Sequence, residues 1–327
     1  MLHFWTKEDP TGWDAAVAAH ASDGGLLQSW AWGQFQEALG NGVYNVVNDD
    51  ASMFAQALQL RAGKRFILSV PRGPICVGEL TEARLQAWVA DIKAFAAERG
   101  CFMVRFDPAW PMEQQTLLAV AGTDKAKRER NPSETLIIDI RGDEETLLGA
   151  MKSKWRYNIK LAQKKGVTVR FSTDPKDAQT FMSLVEKTTE RQGFASYGRA
   201  YFEALINALG ETKQGAFAIA EYQGKPIAAL VVGFNGRTAY YLHGASDYEH
   251  RALMAPHLLQ WAAIQESKKR GCVAYDFWGA GSQWGGVTRF KQGFAPTTAL
   301  TAYVGTHEIG VKGLTYKLYR LRQRIRG

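Results

Sequence analysis

The sequence predicts an α/β (α+β) protein of two domains. Helix-period and strand-period segments alternate along the chain, and a helix pair followed by hairpin strands, a long helix and a short strand is read twice. A length of 327 residues, 46% hydrophobic and 12% aromatic, suits two cores better than one. The expected division is 1–143 together with the C-terminal helix 308–327, and 144–307.

In the first half, Trp13 to His20 and Ser29 to Leu39 read as short helices. Met53 to Leu60 and Arg65 to Val70 read as strands, and the turn Pro71-Arg72-Gly73-Pro74 follows. Thr81 to Glu98 is a helix because Leu85, Trp88, Val89, Ile92 and Phe95 recur at helical spacing, and Gly100 closes it. Phe102 to Phe106 is a strand ending at Asp107-Pro108.

Leu136 to Ile140 reads as a strand, and Glu144 to Gln163 as a helix or a broken pair of helices. Its apolar positions are Leu148, Met151, Trp155, Ile159 and Ala162; Lys152, Arg156, Lys160 and Lys164 lie four apart and make a basic stripe beside them. Val167 to Phe171 is a strand, and Asp177 to Thr189 and Ala200 to Leu209 are helices. Phe217 to Tyr222, Pro226 to Phe234 and Thr238 to His243 are strands joined at Gln223-Gly224-Lys225 and at Asn235-Gly236, a strong hairpin signal. Leu253 to Lys269 is a long helix capped by Gly271; Val273 to Phe277 and Thr298 to Val304 are strands, and a basic helix ends the chain.

No apolar run approaches the roughly 20 residues of a membrane-spanning helix. The start, Met1 to Glu8, lacks the charged head and apolar centre of a signal peptide. Cys76, Cys101 and Cys272 are too scattered for a disulfide framework or a zinc site, so the reducing cytoplasm is the expected compartment. The net charge of +8 is unevenly spread: no acid occurs from Thr146 to Thr173, nor after Glu308, while both stretches are rich in Lys and Arg. Such one-sign segments are either solvated helix faces or surfaces for a polyanion such as nucleic acid, a nucleotide sugar or an anionic membrane.

One stretch carries candidate chemistry. Thr288-Arg289-Phe290-Lys291-Gln292-Gly293-Phe294 follows the loop Gly279-Ala280-Gly281-Ser282-Gln283-Trp284-Gly285-Gly286. A lysine between aromatics, beyond a loop of backbone donors, can hold a carbonyl oxygen as it gains negative charge. The same lysine also reads as a solvated charge on a helix. Asp107, at a strand end before Pro108, is either a cleft carboxylate able to orient or deprotonate an amine or an ordinary turn aspartate. His243, His250 and His257 are spaced by seven but span a strand end, a loop and a helix, which is poor metal-ligand geometry; no metal is expected.

The element order resembles the acetyltransferase (GNAT) module, present twice. Three ordered stretches then resemble the Fem family: Leu27-Gln28-Ser29-Trp30-Ala31-Trp32-Gly33-Gln34-Phe35; Met254 to Trp261 running on to Lys269-Arg270-Gly271-Cys272-Val273-Ala274-Tyr275-Asp276-Phe277; and Arg289 to Phe294. Pro71 to Pro74 and Tyr240 to Ser246 add to the set, which spans nearly the whole chain. The resemblance implies two GNAT-like domains packed around a cleft and working without coenzyme A or another cofactor. It implies a cytoplasmic aminoacyltransferase of the FemX type: Arg191 to Gly215 is too short for the coiled-coil arm of some members. Such an enzyme moves an amino acid (Gly, Ala or Ser) from aminoacyl-tRNA to the side-chain amine of the third stem-peptide residue of a peptidoglycan precursor, UDP-MurNAc-pentapeptide or lipid II. A monomer is expected, with peripheral contact to an anionic membrane as a further possibility.

By the same resemblance Lys291 contacts the transferred acyl group or the tRNA end, Phe290 offers its carbonyl or ring, and Asp107 is considered as a base. Tyr201 and Tyr241 match tyrosines that hold the precursor and its phosphates. The family's Arg-x-x-x-Tyr pattern reads here Tyr197-Gly198-Arg199-Ala200-Tyr201, with the arginine displaced by two positions, and Gln36 lies near a precursor-binding lysine of the family. Arg72 is a ligand contact or a shaper of its turn, and Lys152, Arg156, Lys160 and Lys164 form the tRNA-facing stripe. Two rival readings stand beside this: a coenzyme A-dependent N-acyltransferase, and a non-catalytic RNA- or membrane-binding protein. Against the first, the turn before the long helix, His250-Arg251-Ala252-Leu253-Met254-Ala255-Pro256, holds no glycine and includes a proline without an amide donor.

Overall fold

The computed structural model describes residues 1–6, 8–192, 197–281 and 285–325, with the side chains at 189–192 and 324–325 outside that description. The chain divides into two compact units, Met1–Ser133 with Ala302–Gly327, and Glu134–Thr301. Strand pairing explains why these limits differ from 143 and 308. Strand Glu134–Asp139 pairs with Ala274–Gly279, which draws it into the second sheet, and His307–Gly310 pairs with Cys101–Pro108, which returns the chain to the first.

The first unit is built on a sheet ordered Leu2–Phe4, Gly42–Asn48, Met53–Ala62, Arg65–Arg72, Cys101–Pro108, His307–Gly310 and Asp124–Lys125, with Ile75–Cys76 added beside Met53–Ala62. Only Arg65–Arg72 and Cys101–Pro108 run parallel, and helix Glu82–Glu98 makes the crossover between them. That helix starts where the Thr81 hydroxyl accepts from Arg84 N–H, and it buries Leu85, Trp88, Val89, Ile92 and Phe95 against the sheet. Each of those large side chains stabilises by about 1.5–3 kcal/mol on burial. Strands Leu2–Phe4, Gly42–Asn48 and His307–Gly310 and helix Gln115–Val120 were not legible in the sequence, being short or weakly alternating.

Two of the stretches that carry the family resemblance meet here. The Gln28 amide donates to Pro71 O (2.6 Å) and Gln56 O (3.2 Å) and accepts from Gln56 N–H (2.7 Å), tying a 3-10 turn, Leu26–Gln28, to two strands. Ser29 then caps helix Trp30–Ala38 by accepting from Trp32 N–H (3.2 Å). These residues therefore hold the architecture of the unit.

The second unit carries a sheet ordered Thr301–Ala302, Glu134–Asp139, Ala274–Gly279, Thr238–Ser246, Lys225–Asn235, Gly215–Tyr222 and Thr168–Ser172. Helices Ser153–Lys164 and Ala255–Lys269 cover one face, and Asp177–Gln192 and Arg199–Glu211 the other. The last two are joined by six residues, of which 193–196 lie outside the description, so the chain has no length there for an arm. The broken-pair alternative is the one realised: helix Glu144–Ala150 ends, Met151 and Lys152 are extended, and Ser153–Lys164 begins.

The parallel pairs differ between units. In the first, register pairs run from Phe66↔Cys101 to Arg72↔Pro108. In the second, Thr238–Ser246 and Ala274–Gly279 pair only at Thr238↔Ala274, Ala239↔Tyr275 and Tyr240↔Asp276, then part. Backbone and side chains beyond Tyr240 and Asp276 are thereby released from the ladder, and the candidate site forms there.

Candidate active site

Lys291 sits on helix Gly285–Gln292. It is 94% buried, with 6% of its surface exposed. Its ammonium donates to Gly279 O (2.6 Å) and more weakly to Trp278 O (3.4 Å), and lies 5.4 Å from the Tyr241 ring centroid. The Gly279 loop thus delivers carbonyl acceptors to the lysine. Of its expected amide donors, Gly281 N–H is taken by Thr288 Oγ1 (3.1 Å) and Ala280 N–H by Glu134 O (2.9 Å), while Ser282, Gln283 and Trp284 lie outside the described residues.

The turn that aims those carbonyls depends on Asp276, which is 1% exposed. Its carboxylate accepts from the Thr135 hydroxyl and from Trp278 N–H (2.7 Å), and Trp278 is held at φ 59°, a left-handed conformation unusual for a bulky residue. Burial pulls the Lys291 pKa from its ordinary 10.5 down to about 8, and the Asp276 charge opposes part of that fall. The result is a buried ammonium with three N–H donors, two of them spent on carbonyls of the described residues. Such a group can stabilise an oxyanion and is close to giving up its proton near neutral pH. Asp276 was not singled out in the sequence, although an acid inside the apolar run Val273 to Phe277 signals a buried charge that needs partners.

Phe290 faces the other side of the same helix. Its ring packs on His257 (5.2 Å) and Phe294 (5.5 Å), and its carbonyl accepts from Trp155 Nε1–H (3.0 Å). These contacts make Phe290 part of the packing that seats the lysine helix. Gly293 is required beside it, since a Cβ there would meet Trp155 at 2.0 Å.

The tyrosines separate by a β-bulge. Register passes from Val231↔His243 to Val232↔Tyr241, so one residue is inserted at Leu242 and His243 and Tyr241 take opposite faces of the sheet. Tyr241 lies with Lys291, over Gly244, where a Cβ would meet its hydroxyl at 2.1 Å; burial raises its pKa to about 12. Tyr197 and Tyr201 stack at 3.9 Å on the other face, edge-on to His243, whose pKa burial lowers to about 4. Arg199 is directed to Glu203 (2.6 Å) and Gln179 (3.0 Å). The histidines are likewise dispersed: His257 faces Asn158 (3.1 Å) and His250 faces Asp247 (3.4 Å).

In the first unit Arg72 and Asp107 do come together. Arg72 N–H (3.2 Å), Asn131 N–H (3.2 Å) and the Asn131 amide (2.7 Å) all donate to the Asp107 carboxylate, and burial pushes its pKa up against the lowering pull of Arg72. Arg72, at φ 55°, donates to Pro132 O (2.8 Å), lies 3.7 Å from Asp23 and covers the Tyr303 ring (4.7 Å). It also lines a cleft of about 310 Å³ with His20, Pro74, Cys76, Glu79 and Trp110. With both oxygens accepting, Asp107 is a buried latch between two loops. Gln36 is similarly engaged, accepting from the Asn41 amide (2.9 Å) to close the helix end.

A cavity of about 500 Å³ lies between helix Trp30–Ala38 and the sheet, walled by Trp5 and Trp30. Its floor includes the cross-strand pair Asn45↔Gln56, whose Oδ1 and Oε1 are buried without a hydrogen-bond partner among the described residues. Nothing in the sequence marked this pair, because burial of an amide in a strand is set by what covers it.

The basic stripe is present with one change. Lys152, Lys160 and Lys164 are exposed. Arg156 instead donates to the carbonyls of Gly149 (3.2 Å) and Met151, capping the C-terminus of helix Glu144–Ala150.

Two mixed sheets, each with a parallel pair bridged by a helix, define a tandem GNAT fold. An acetyltransferase (GNAT) domain model matches residues 150–292 and the FemAB family model residues 12–129. Lipid II:glycine glycyltransferases of Staphylococcus saprophyticus and Staphylococcus aureus are 22% and 23% identical, over 81% of this chain and 82% of theirs. The crystal structure of FemX superposes with a TM-score of 0.84 at 21% identity, covering 97% of this chain and 99% of the other. A tandem GNAT protein from the clavulanic acid biosynthesis pathway gives 0.59 at 12% identity, covering 95% and 99%. The chain is thus similar to the Fem family over residues 12–129, and its fold is FemX-like.

Proposed function

We propose that this chain is an aminoacyltransferase that moves glycine, alanine or serine from an aminoacyl-tRNA to the side-chain amine of the third stem-peptide residue of a peptidoglycan precursor. The observation that carries the reading is Lys291, a buried ammonium with one donor left over among the described residues, where the parallel strands part. The relatives' names, lipid II:glycine glycyltransferase, support an acceptor of this class.

Aminolysis of an ester needs a neutral amine, stabilisation of the tetrahedral oxyanion and a proton for the leaving hydroxyl. Lys291 supplies the second as its charged form. With a pKa of about 8, it is also suited to lend its proton to the departing ribose oxygen. The exposed Lys152, Lys160 and Lys164 supply a surface for the tRNA phosphates.

The coenzyme A alternative is weakened by the helix ends. At Ala255–Lys269 the first turn contains Pro256, and His257 N–H already donates to Met254 O (3.0 Å). At Glu82–Glu98 the first turn carries Glu82, and Thr81 occupies Arg84 N–H, so a diphosphate would meet repulsion.

The test mixes the protein with glycyl-, alanyl- or seryl-tRNA and either UDP-MurNAc-pentapeptide or lipid II, and follows the precursor by mass. Extension by one residue is expected. Acetyl transfer from acetyl-coenzyme A in its place, or RNA binding without any extension, would overturn the reading.

A further inference from the structure

The last helix, Gly313–Ile325, is amphipathic in an unusual sense: its polar face is turned toward the protein. Tyr316 is buried and its hydroxyl donates to Asp124 (2.7 Å). The Tyr319 hydroxyl donates to Glu308 (3.2 Å), and Arg320 donates to Lys125 O (2.9 Å) and Glu308 (3.4 Å). Gly310 permits this seating, because a Cβ there would meet the Tyr316 ring at 2.5 Å.

The outward face is apolar. Leu314, Leu318 and Leu321 are 76%, 48% and 52% exposed. At 100° per residue they fall within about 60° of arc, a single stripe along the helix. Lys317 borders the stripe on one side and Arg322 on the other, both exposed, and the sequence has no acid after Glu308. An exposed leucine row on a soluble surface is unfavourable unless something covers it.

We infer that this helix is a membrane-surface element that lies in the headgroup region of an anionic bilayer, with the three leucines directed into the acyl boundary and Lys317 and Arg322 on lipid phosphates. The partner is fixed by the combination of features. A bilayer interface supplies an apolar layer directly beneath a plane of negative charge, which matches a leucine stripe with cationic borders. A second copy of the helix would cover the leucines but would set cations against cations, and an RNA would satisfy the cations and leave the leucines in water. The inference stands on this geometry and is independent of the transfer reaction proposed above.

The experiment is co-sedimentation of the full chain with vesicles of phosphatidylcholine alone or with about one third phosphatidylglycerol, containing no precursor and no tRNA. Binding to the anionic vesicles, and weak binding to the neutral ones, is expected. Because the leucines are already about half or more exposed, changing them should leave the fold intact, checked by circular dichroism. The triple variant Leu314→Ser, Leu318→Ser, Leu321→Ser should bind the anionic vesicles roughly a hundredfold more weakly, about fivefold per side chain. Lys317→Gln with Arg322→Gln should lose about 25-fold. Failure of the wild-type chain to bind anionic vesicles, or wild-type binding by the folded leucine variant, would overturn the inference. So would a lipid-free dimer in sedimentation velocity that the leucine variant dissociates, since the stripe would then cover a second copy.

Discussion

Replacing Lys291 by methionine separates catalysis from stability in a way the structure makes quantitative. Lowering a lysine pKa from 10.5 to about 8 means that holding the charge costs the folded state about 3 kcal/mol at neutral pH, at about 1.4 kcal/mol per pH unit. The sign follows from proton counting: between about pH 8 and 10.5 the unfolded chain binds more protons than the folded one, so stability rises with pH across that window. Lys291→Met removes this cost with a side chain of similar volume. Against it stand two unmet carbonyls, Gly279 O and Trp278 O, at about 1 kcal/mol each, and a buried Asp276 left without its nearby cation. Stability at pH 7 is therefore expected within about 2 kcal/mol of wild type, measured by urea unfolding. Transfer from charged tRNA, by contrast, should fall about 10²- to 10³-fold, the usual loss of an oxyanion donor. Turnover within tenfold of wild type in the folded variant would refute the assignment. Destabilisation beyond about 4 kcal/mol would make the lysine a structural strut.

The pH profile should follow the same group: the transfer rate is expected to decline on the alkaline side through about pH 8 as Lys291 loses its proton, and a flat profile to pH 9 would count against it. Neutralising Lys152, Lys160 and Lys164 with glutamine should weaken tRNA binding and lower the salt slope by about 2, read from filter binding at several salt concentrations. Arg156→Gln should leave that slope unchanged and cost about 1 kcal/mol of stability, because Arg156 caps a helix. Gly293→Ala forces a Cβ into Trp155 and should destabilise by about 1–3 kcal/mol while displacing the lysine helix, seen as a lowered Tm together with lost transfer.

Much of the fold was legible because its signals are local. The apolar spacing from Leu85 to Phe95, the Asn235-Gly236 hairpin and the Gly100 and Gly271 stops each mark an element without reference to the rest of the chain. The short strands Leu2–Phe4 and His307–Gly310 were missed because each is defined by a distant partner, at Val46 to Asn48 and at Met103 to Phe106. The site was half legible. Lys291 stood out by its neighbours in sequence, whereas Asp276, Thr135 and Trp278, which hold its pocket in shape, are united only by the strand pairing. Asp107, Gln36 and Arg156 looked available in the sequence and are engaged in the structure, because a side chain's free valences depend on carbonyls and amides brought in from elsewhere.

By itself, the sequence determined the alternation of helices and strands and the segregated positive charge, since periodicity, turn chemistry and composition are properties of short windows. The tertiary structure decided which charge is buried, which face each tyrosine takes and which side of the last helix meets water. Those depend on a one-residue bulge at Leu242, on strands that part after Tyr240, and on tyrosines that anchor Gly313–Ile325 with its leucines outward. Each is a matter of register or rotation, and a shift of one residue reverses it.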